Sequence, residues 1–454
     1  MDILSQSPFL ARMFSMSNDK KTEKADTNSY KGVRDFYPTD WQNEIAIFDI
    51  WRKSAESFGY QEYNASILEL AELYRAKTSN EIVNEQTYTF IDRGGREVTL
   101  RPEMTPTVAR MVAARHRELS FPLRWYSIAN VFRYERPQRG RLREHWQLNC
   151  DLFGISSLEA DTEIISLAYQ ILKSFGAKDA DFEIRISDRN ILTVWLRDIL
   201  KQTPESVRNI LRLHDKRNKI TADDFRKTLL EDTGDESATQ KIIEGPENII
   251  SANKELSDIN QYISAVKENL NKSETNNVKI DYGLTRGFDY YTGMIFEIYD
   301  INPKNNRSLF GGGRYDNLLQ TFSKQPIPAV GFGMGDVTIL DFLESRGSLP
   351  KYCSKTHLYI CHTTTEFIDE CANLAKRLRN QGLNISVDLS NQKVGDQVKT
   401  AAKQNVPFIV CIGEEEMKSG TFKLKNLDKK VENQVTEDKI PEFIKNTLNA
   451  ENSN

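Results

Sequence analysis

Three observations along this 454-residue chain predict an α+β fold. Strand and helix periods are mixed from residue 30 to about 190, only the helical period occurs from about 190 to 275, and from 354 strands and helices alternate in quick succession. The chain therefore divides into a core, 30–348, that carries a helical insertion at about 190–275, and a small α/β domain, 354–448. Residues 1–29 and 449–454 are expected to be tails, since SNDKKTEKADTN (17–28) is polar and aperiodic. Asp2 and the scarcity of arginine disfavour an organelle-targeting leader there, and Met16 is a second candidate start.

Within the core, WQNEIAIFDIWRKSAESFGY spaces Ile45, Phe48, Trp51 and Phe58 as one apolar face of a helix, and FEIRIS (182–187) alternates as a strand. The insertion follows, with helical spacing in ILTVWLRDIL and INQYISAV. Alternation returns at Val278, Ile280, Tyr282 and Leu284 and again at Met294, Phe296 and Ile298. Next come GGGRYDNLLQTF and AVGFGMGDVTILDFLES, the latter a buried strand, a glycine turn and a helix with Asp336 as its expected N-cap. In the last zone THLYICHT, NISVDLS, PFIVCIG and TFKLKNL read as strands. Between and after them lie helices, one with Phe367, Cys371, Leu374 and Leu378 on one face, one over 393–404, and one at the end; this pattern predicts a parallel or mixed sheet with right-handed crossovers.

Composition narrows the function classes. At 39% hydrophobic and 28% charged residues the chain can bury a sizeable core, and no apolar run approaches the roughly 18 residues that would span a bilayer. The five cysteines, Cys150, Cys353, Cys361, Cys371 and Cys411, form no CxxC and stand at no ligand spacing from a histidine. No disulfide framework or protein-held metal is expected, and a reducing, cytoplasmic location fits best. A net charge of -4 leaves a polyanionic partner to be held by local patches. From Cys353 to Asn454 the 14 basic residues equal the 14 acidic ones, so any single-stranded nucleic acid bound there would be held by geometry and stacking rather than bulk charge.

Three stretches carry chemistry. RWYSIANVFRYERPQRGRLR (124–143) has six arginines, one glutamate and no lysine. Exclusive use of the planar five-donor fork points to bidentate contacts with phosphate or carboxylate oxygens. ANVFRYE ends a strand, PQRG turns, and EHWQLNCDLFG returns, so the charge gathers on one hairpin beside Glu135 and Asp151, as in a nucleotide triphosphate site with metal ligands nearby. TLRPEMTPTVARM sets Arg101, Glu103 and Thr105 in a proline-stiffened bend between a strand and a helix, where a carboxylate and a hydroxyl two residues apart suit an ammonium group. LTRGFDYYTGMIF (284–296) places Arg286, Asp289, Tyr290 and Tyr291 in otherwise apolar surroundings.

TLRPEMTPTVAR, VFRYERPQRGRLREHWQLNCDLFG, LTRGFDYYTGMIFE and GGGRYDNL together resemble, in order and spacing, the diagnostic segments of the histidyl-tRNA synthetases, over roughly residues 30–446. The resemblance implies a class II catalytic core on an antiparallel sheet, a helical insertion and a C-terminal α/β anticodon-binding domain. It implies a homodimer that joins L-histidine to tRNA(His) at the cost of ATP with Mg²⁺. It assigns the substrate's amino group to Glu103, Thr105 and Gln147, and its imidazole to Tyr291 and Asp151, with Tyr290 and Tyr315 shaping the pocket. Asp151 stands where the family commonly has glutamate. Arg133 and Arg286 fall on the arginines that contact the α-phosphate, Arg141 on the outer phosphates, and Glu135 near the adenine and the tRNA end. Asp289 is expected to brace Arg286 or the backbone rather than to take part in the chemistry.

Two positions depart from the family pattern. Ser66 in EYNASILEL replaces a proline of the dimer-interface strand. Thr338 replaces an arginine that packs on the adenine and reaches the γ-phosphate, which makes Arg110 a candidate for holding the far end of ATP. The missing arginine also raises a second reading, a histidine-binding regulatory subunit of ATP phosphoribosyltransferase; such paralogues typically lack the C-terminal domain.

Overall fold

Strand alternation in the first unit separates an apolar face from a polar one, and the two faces divide the molecule's work. The structure, a computed structural model, describes residues 26–75, 86–215, 217, 220–247, 250–286, 290–302, 305, 308–323, 326–349 and 352–452. The expected N-terminal tail up to residue 25 and Asp289 lie outside the described residues. The chain forms two compact units that meet in sequence at Leu349 and Pro350.

Strands of the first unit are β1 (Gln61–Glu62), β2 (Leu68–Leu70), β3 (Tyr88–Ile91), β4 (Glu97–Leu100), β5 (Leu123–Phe132), β6 (Glu144–Phe153), β7 (Phe182–Asp188), β8 (Val278–Ile280), β9 (Met294–Asp300), β10 (Ser308–Arg314) and β11 (Ala329–Gly335). The large sheet runs β1-β5-β6-β11-β10-β9-β7-β8. Its inner ladders are antiparallel, and only the edge pairings β1–β5 and β7–β8 are parallel. The expected antiparallel core is therefore present. A separate antiparallel sheet, β2-β4-β3, stands beside it.

One face of the large sheet buries Leu148, Cys150, Leu152, Phe296, Ile298, Val330, Phe332 and Met334 with the helices Pro38–Ser57, Leu158–Ser174 and Lys254–Lys272. Trp51 is fully buried in this layer and its indole N–H points at the Met334 sulfur, 2.9 Å away. On the helix Pro38–Ser57 the expected face holds at Phe48 and Trp51, which are buried, but not at Ile45, which is 37% exposed while its neighbour Glu44 is buried. Arg34 explains the exchange, because it pairs with Glu44 and Asp336 at once. Asp336 is likewise not the N-cap of its helix. Gly335 holds that position, and the Asp336 carboxylate is buried, accepting from Arg34 and from the Trp146 backbone N–H at 3.0 Å.

Among the described residues from Arg189 to Lys272 every element is helical, including a π-helix at Trp195–Ile199, and the chain rejoins the sheet at β8. Its last helix, Lys254–Lys272, buries Leu256, Ile263, Val266 and Leu270.

In the second unit β12 (Leu358–His362), β13 (Ile385–Val387), β14 (Phe408–Ile412), β15 (Thr421–Asn426) and β16 (Val431–Thr436) form a mixed sheet in the order β13-β12-β14-β15-β16. The first three are mutually parallel and the last two antiparallel. Leu358 and Ile360 face Cys371, Leu374, Leu378, Ile440 and Ile444 on one side; Tyr359, Cys361 and Ile409 face Ala401 on the other. β16 is an element the sequence pattern hid, because VENQVT is a polar edge strand with no buried residue.

Candidate active site

The polar face of the large sheet is built by period two. On β6 the residues that alternate with Leu148, Cys150 and Leu152 are Gln147, Asn149 and Asp151. Directly beside them on β11 stand Gly335, Gly333 and Gly331. Two of these glycines leave no room for a side chain as the strip stands: a Cβ on Gly331 would lie 2.3 Å from Asp151 Oδ1 and 2.6 Å from the Cys150 carbonyl oxygen, and one on Gly333 2.7 Å from Gln147 Nε2. A cavity opens over this strip, and Glu103, Thr105, Arg133, Gln147, Asn149, Arg286, Tyr290, Tyr291 and Tyr315 are among its lining residues. Five separate stretches of sequence, 103–105, 133–149, 286–291, 311–315 and 331–333, meet here.

Glu103 and Thr105 arrive on the bend between β4 and the helix Thr105–Arg115. Arg101 fixes that bend: it is buried and donates to the Asn130 and Ala65 carbonyls, each at 2.8 Å. Arg133 leaves the end of β5 and donates its Nε to the Pro102 carbonyl at 2.9 Å, which ties it to the bend that carries Glu103. Tyr290 donates its hydroxyl to Glu103 Oε2 at 2.9 Å.

Tyr315 donates to Asp151 and packs edge-on against Phe153 and Tyr290. Asp151 is 1% exposed, and burial raises its pKa to about 7, with the Tyr315 hydrogen bond acting in the opposite direction. Burial also pushes the Tyr290 and Tyr315 phenols well above their ordinary range, so both stay neutral hydrogen-bonding groups. Arg286 is half-buried, ion-paired to Glu297, which also accepts from the Tyr299 hydroxyl.

The arginine hairpin is a hairpin, but its six arginines do different things. Of these only Arg133 lines the cavity. Arg124 is bidentate to Glu163 at 2.7 Å on both oxygens, Arg139 pairs with Asp341 at 2.7 Å, and Arg141 pairs with Glu135. Arg143 lies 4.1 Å over the Tyr134 ring and donates to the Tyr30 hydroxyl at 3.0 Å. The exclusive use of arginine thus serves the protein's own carboxylates and aromatic rings as well as any ligand. Glu135, Arg141 and Asp151 do not line the cavity; Asp151 stands behind the lining residue Tyr315, and it is not at the turn beside Glu135, because β6 leaves the turn at Glu144 and carries it most of a ten-residue strand away.

Arg110 is also absent from the cavity lining, and it pairs with Glu69 at 2.7 Å. The Thr338 hydroxyl is engaged by the Leu309 carbonyl at 2.7 Å, with the hairpin's Gly140 close to its methyl. Ser66 accepts from the Leu68 N–H at 3.2 Å, a local turn that starts β2 without proline. Asn149 and the glycine strip were not singled out from sequence, although the Gln147-Asn149-Asp151 alternation was the signal that could have found them.

An antiparallel sheet that carries a polar, glycine-floored cavity on one face and helices on the other, followed by a second α/β unit, defines a synthetase-type architecture. The solved histidyl-tRNA synthetase of Nostoc sp. has this fold, with a TM-score of 0.76 at 23% identity over 93% of this chain and 100% of that one. A sequence profile described as histidyl-tRNA synthetase matches residues 32–337, and one described as anticodon binding domain matches 355–447. Histidine--tRNA ligase of Leptospira biflexa is 44% identical over 90% of this chain and 94% of its own length, and that of Thermoplasma volcanium 38% identical over 87% and 93%. The chain belongs to the histidyl-tRNA synthetase family.

Proposed function

We propose that this protein activates L-histidine with ATP and transfers the histidyl group to the 3′ end of tRNA(His). The observation that carries the reading is the convergence in one cavity of Glu103, Thr105 and Gln147 with the tyrosines, and of Arg133 with Arg286. An amino acid bound with its ammonium at Glu103 and its ring toward Asp151 and Tyr291 would turn its carboxylate toward the two arginines. Attack of a carboxylate oxygen on the α-phosphorus forms the mixed anhydride and releases pyrophosphate. Negative charge builds on the phosphoryl oxygens in that step, and arginines already fixed in place stabilise it without reorganisation. A tRNA 3′-terminal hydroxyl then takes the acyl group and AMP leaves.

Tyr291 and Asp151 can hold the imidazole in one tautomer, since a phenol donates or accepts and a carboxyl with a pKa near 7 can do either. Mg²⁺ would enter bound to ATP and would offset the charge on its phosphates as pyrophosphate leaves. Glu297, in contact with Arg286, is the carboxylate that would hold it. We assign residues 30–348 to catalysis and 354–448 to binding of the anticodon. That second domain weighs against the regulatory-subunit reading. Five free thiols suit a reducing cytoplasm. No described helix is long and apolar enough to cross a membrane.

A homodimer is supported by the small sheet. Its register sets Leu68, Leu100 and Tyr88 in one row and Leu70, Val98 and Phe90 in the next, all on one face. Leu68, Leu70 and Phe90 are 43%, 50% and 49% exposed, an apolar surface that a second copy would cover.

The deciding experiment is amino-acid-dependent exchange of pyrophosphate into ATP. Histidine alone of the twenty should support it, because a site built to pair ring nitrogens leaves buried polar groups unpaired with any analogue lacking them. Exchange with another amino acid, or with none, overturns the proposal.

A further inference from the structure

Behind the cavity lies a buried polar network that the chemistry above leaves unused. Arg314 ends β10 one residue before Tyr315, and its guanidinium donates to Asp161 at 2.6 and 3.0 Å and to the Ile155 carbonyl at 2.9 Å. Its backbone carbonyl accepts from the Thr292 N–H at 2.8 Å, while Thr292 Oγ1 accepts from the Asp316 N–H at 3.0 Å. The segment bearing Tyr290 and Tyr291 is thereby stitched to the segment bearing Tyr315, and Arg314 is the knot. Asp161 is fully buried, and its second oxygen accepts from the Tyr262 hydroxyl at 2.5 Å. Tyr262 belongs to the helix Lys254–Lys272 of the insertion, outside the sheet. Two residues earlier on that helix, Asn260 Oδ1 accepts from the Tyr282 hydroxyl at 2.6 Å, and Tyr282 lies in the segment that leads to Arg286.

Replacing a buried ion pair by apolar residues is often neutral for stability, so a network of this kind is better accounted for by the geometry it imposes than by folding energy. We propose that Tyr262 and Asn260 are positioning residues for the reaction. Tyr262, through Asp161 and Arg314, sets the tyrosine walls of the amino-acid pocket, and Asn260, through Tyr282, sets the approach of Arg286. The insertion is then part of the amino-acid site's scaffold. This rests on the histidine-pocket reading given above.

The test is pyrophosphate exchange with Tyr262→Phe and Tyr282→Phe, each of which removes a hydroxyl and keeps the ring, with thermal unfolding measured in parallel. Tyr262→Phe should raise the KM for histidine at least about threefold with the KM for ATP unchanged, since pocket walls displaced by a fraction of an ångström weaken one substrate only. Tyr282→Phe should lower kcat at least about threefold with the KM for histidine unchanged. A drop in melting temperature with unmoved kinetics, or equal changes in both KM values, overturns the proposal. A wild type inactive with histidine overturns the pocket reading instead, and an active wild type with kinetically silent variants overturns only the role given to the insertion.

Discussion

Arg286 and Asp151 show what single residues contribute. If Arg286 acts on the transition state, Arg286→Lys keeps the charge, loses the fork, and should slow single-turnover adenylate formation by roughly two orders of magnitude while histidine affinity changes much less. An unchanged chemical rate in a folded Lys variant removes it from the reaction. Asp151 makes a prediction with a sign. Its folded pKa is raised to about 7 from the usual 3.8. Between those values the folded protein keeps a proton that the unfolded chain has lost. The group's contribution is therefore fully favourable at low pH and is lost as pH rises toward about 7. Asp151→Asn should flatten that part of the stability-versus-pH curve, measured by urea unfolding, and should weaken histidine binding. Both residues are visible in the sequence as polar groups in apolar surroundings. The pairing of Arg286 with Glu297 and of Asp151 with Tyr315 is not, because 11 and 164 positions separate the partners.

Elements differ in how much of their role the sequence reveals. The hairpin from Leu123 to Phe153 was legible as strand, turn and strand, because aromatic and β-branched residues flank PQRG. The fate of its arginines was not, since Glu163 and Asp341 approach from helices elsewhere in the chain. The small sheet β2-β4-β3 was harder still: its strands have three or four residues, too few for a period to declare itself. Its exposed face leads to a dissociation prediction. Leu70→Asp with Phe90→Asp should shift the protein from dimer to monomer in sedimentation, since charge on an apolar interface costs several kcal/mol. A double variant that sediments as wild type would place the interface elsewhere.

For the whole molecule, each unit has its own hydrophobic core, and domains with separate cores survive separation. Removing residues 350–454 should spare histidine-dependent exchange but sharply reduce charging of tRNA, provided circular dichroism shows the remaining unit folded. Equal charging by the truncated protein would end the anticodon assignment. At this scale the pattern of the chain was most informative. A helical stretch between two strand-rich ones, then a strand–helix alternation, is set by periodicity that runs for dozens of residues, and the architecture follows it.

By itself the sequence determined the fold class, the order of the elements and the types of chemistry available, because these depend on local period and on which side chains are present. Tertiary structure alone decided which of those side chains meet. It brought Glu103, Arg133, Gln147 and Tyr315 into one cavity, assigned Arg110, Arg139 and Arg141 to the protein's own carboxylates, and turned Glu44 rather than Ile45 inward to meet Arg34. The physical reason is that a buried charge is tolerated only beside its partner, and the partner is supplied by the packing of distant segments, which no local pattern encodes.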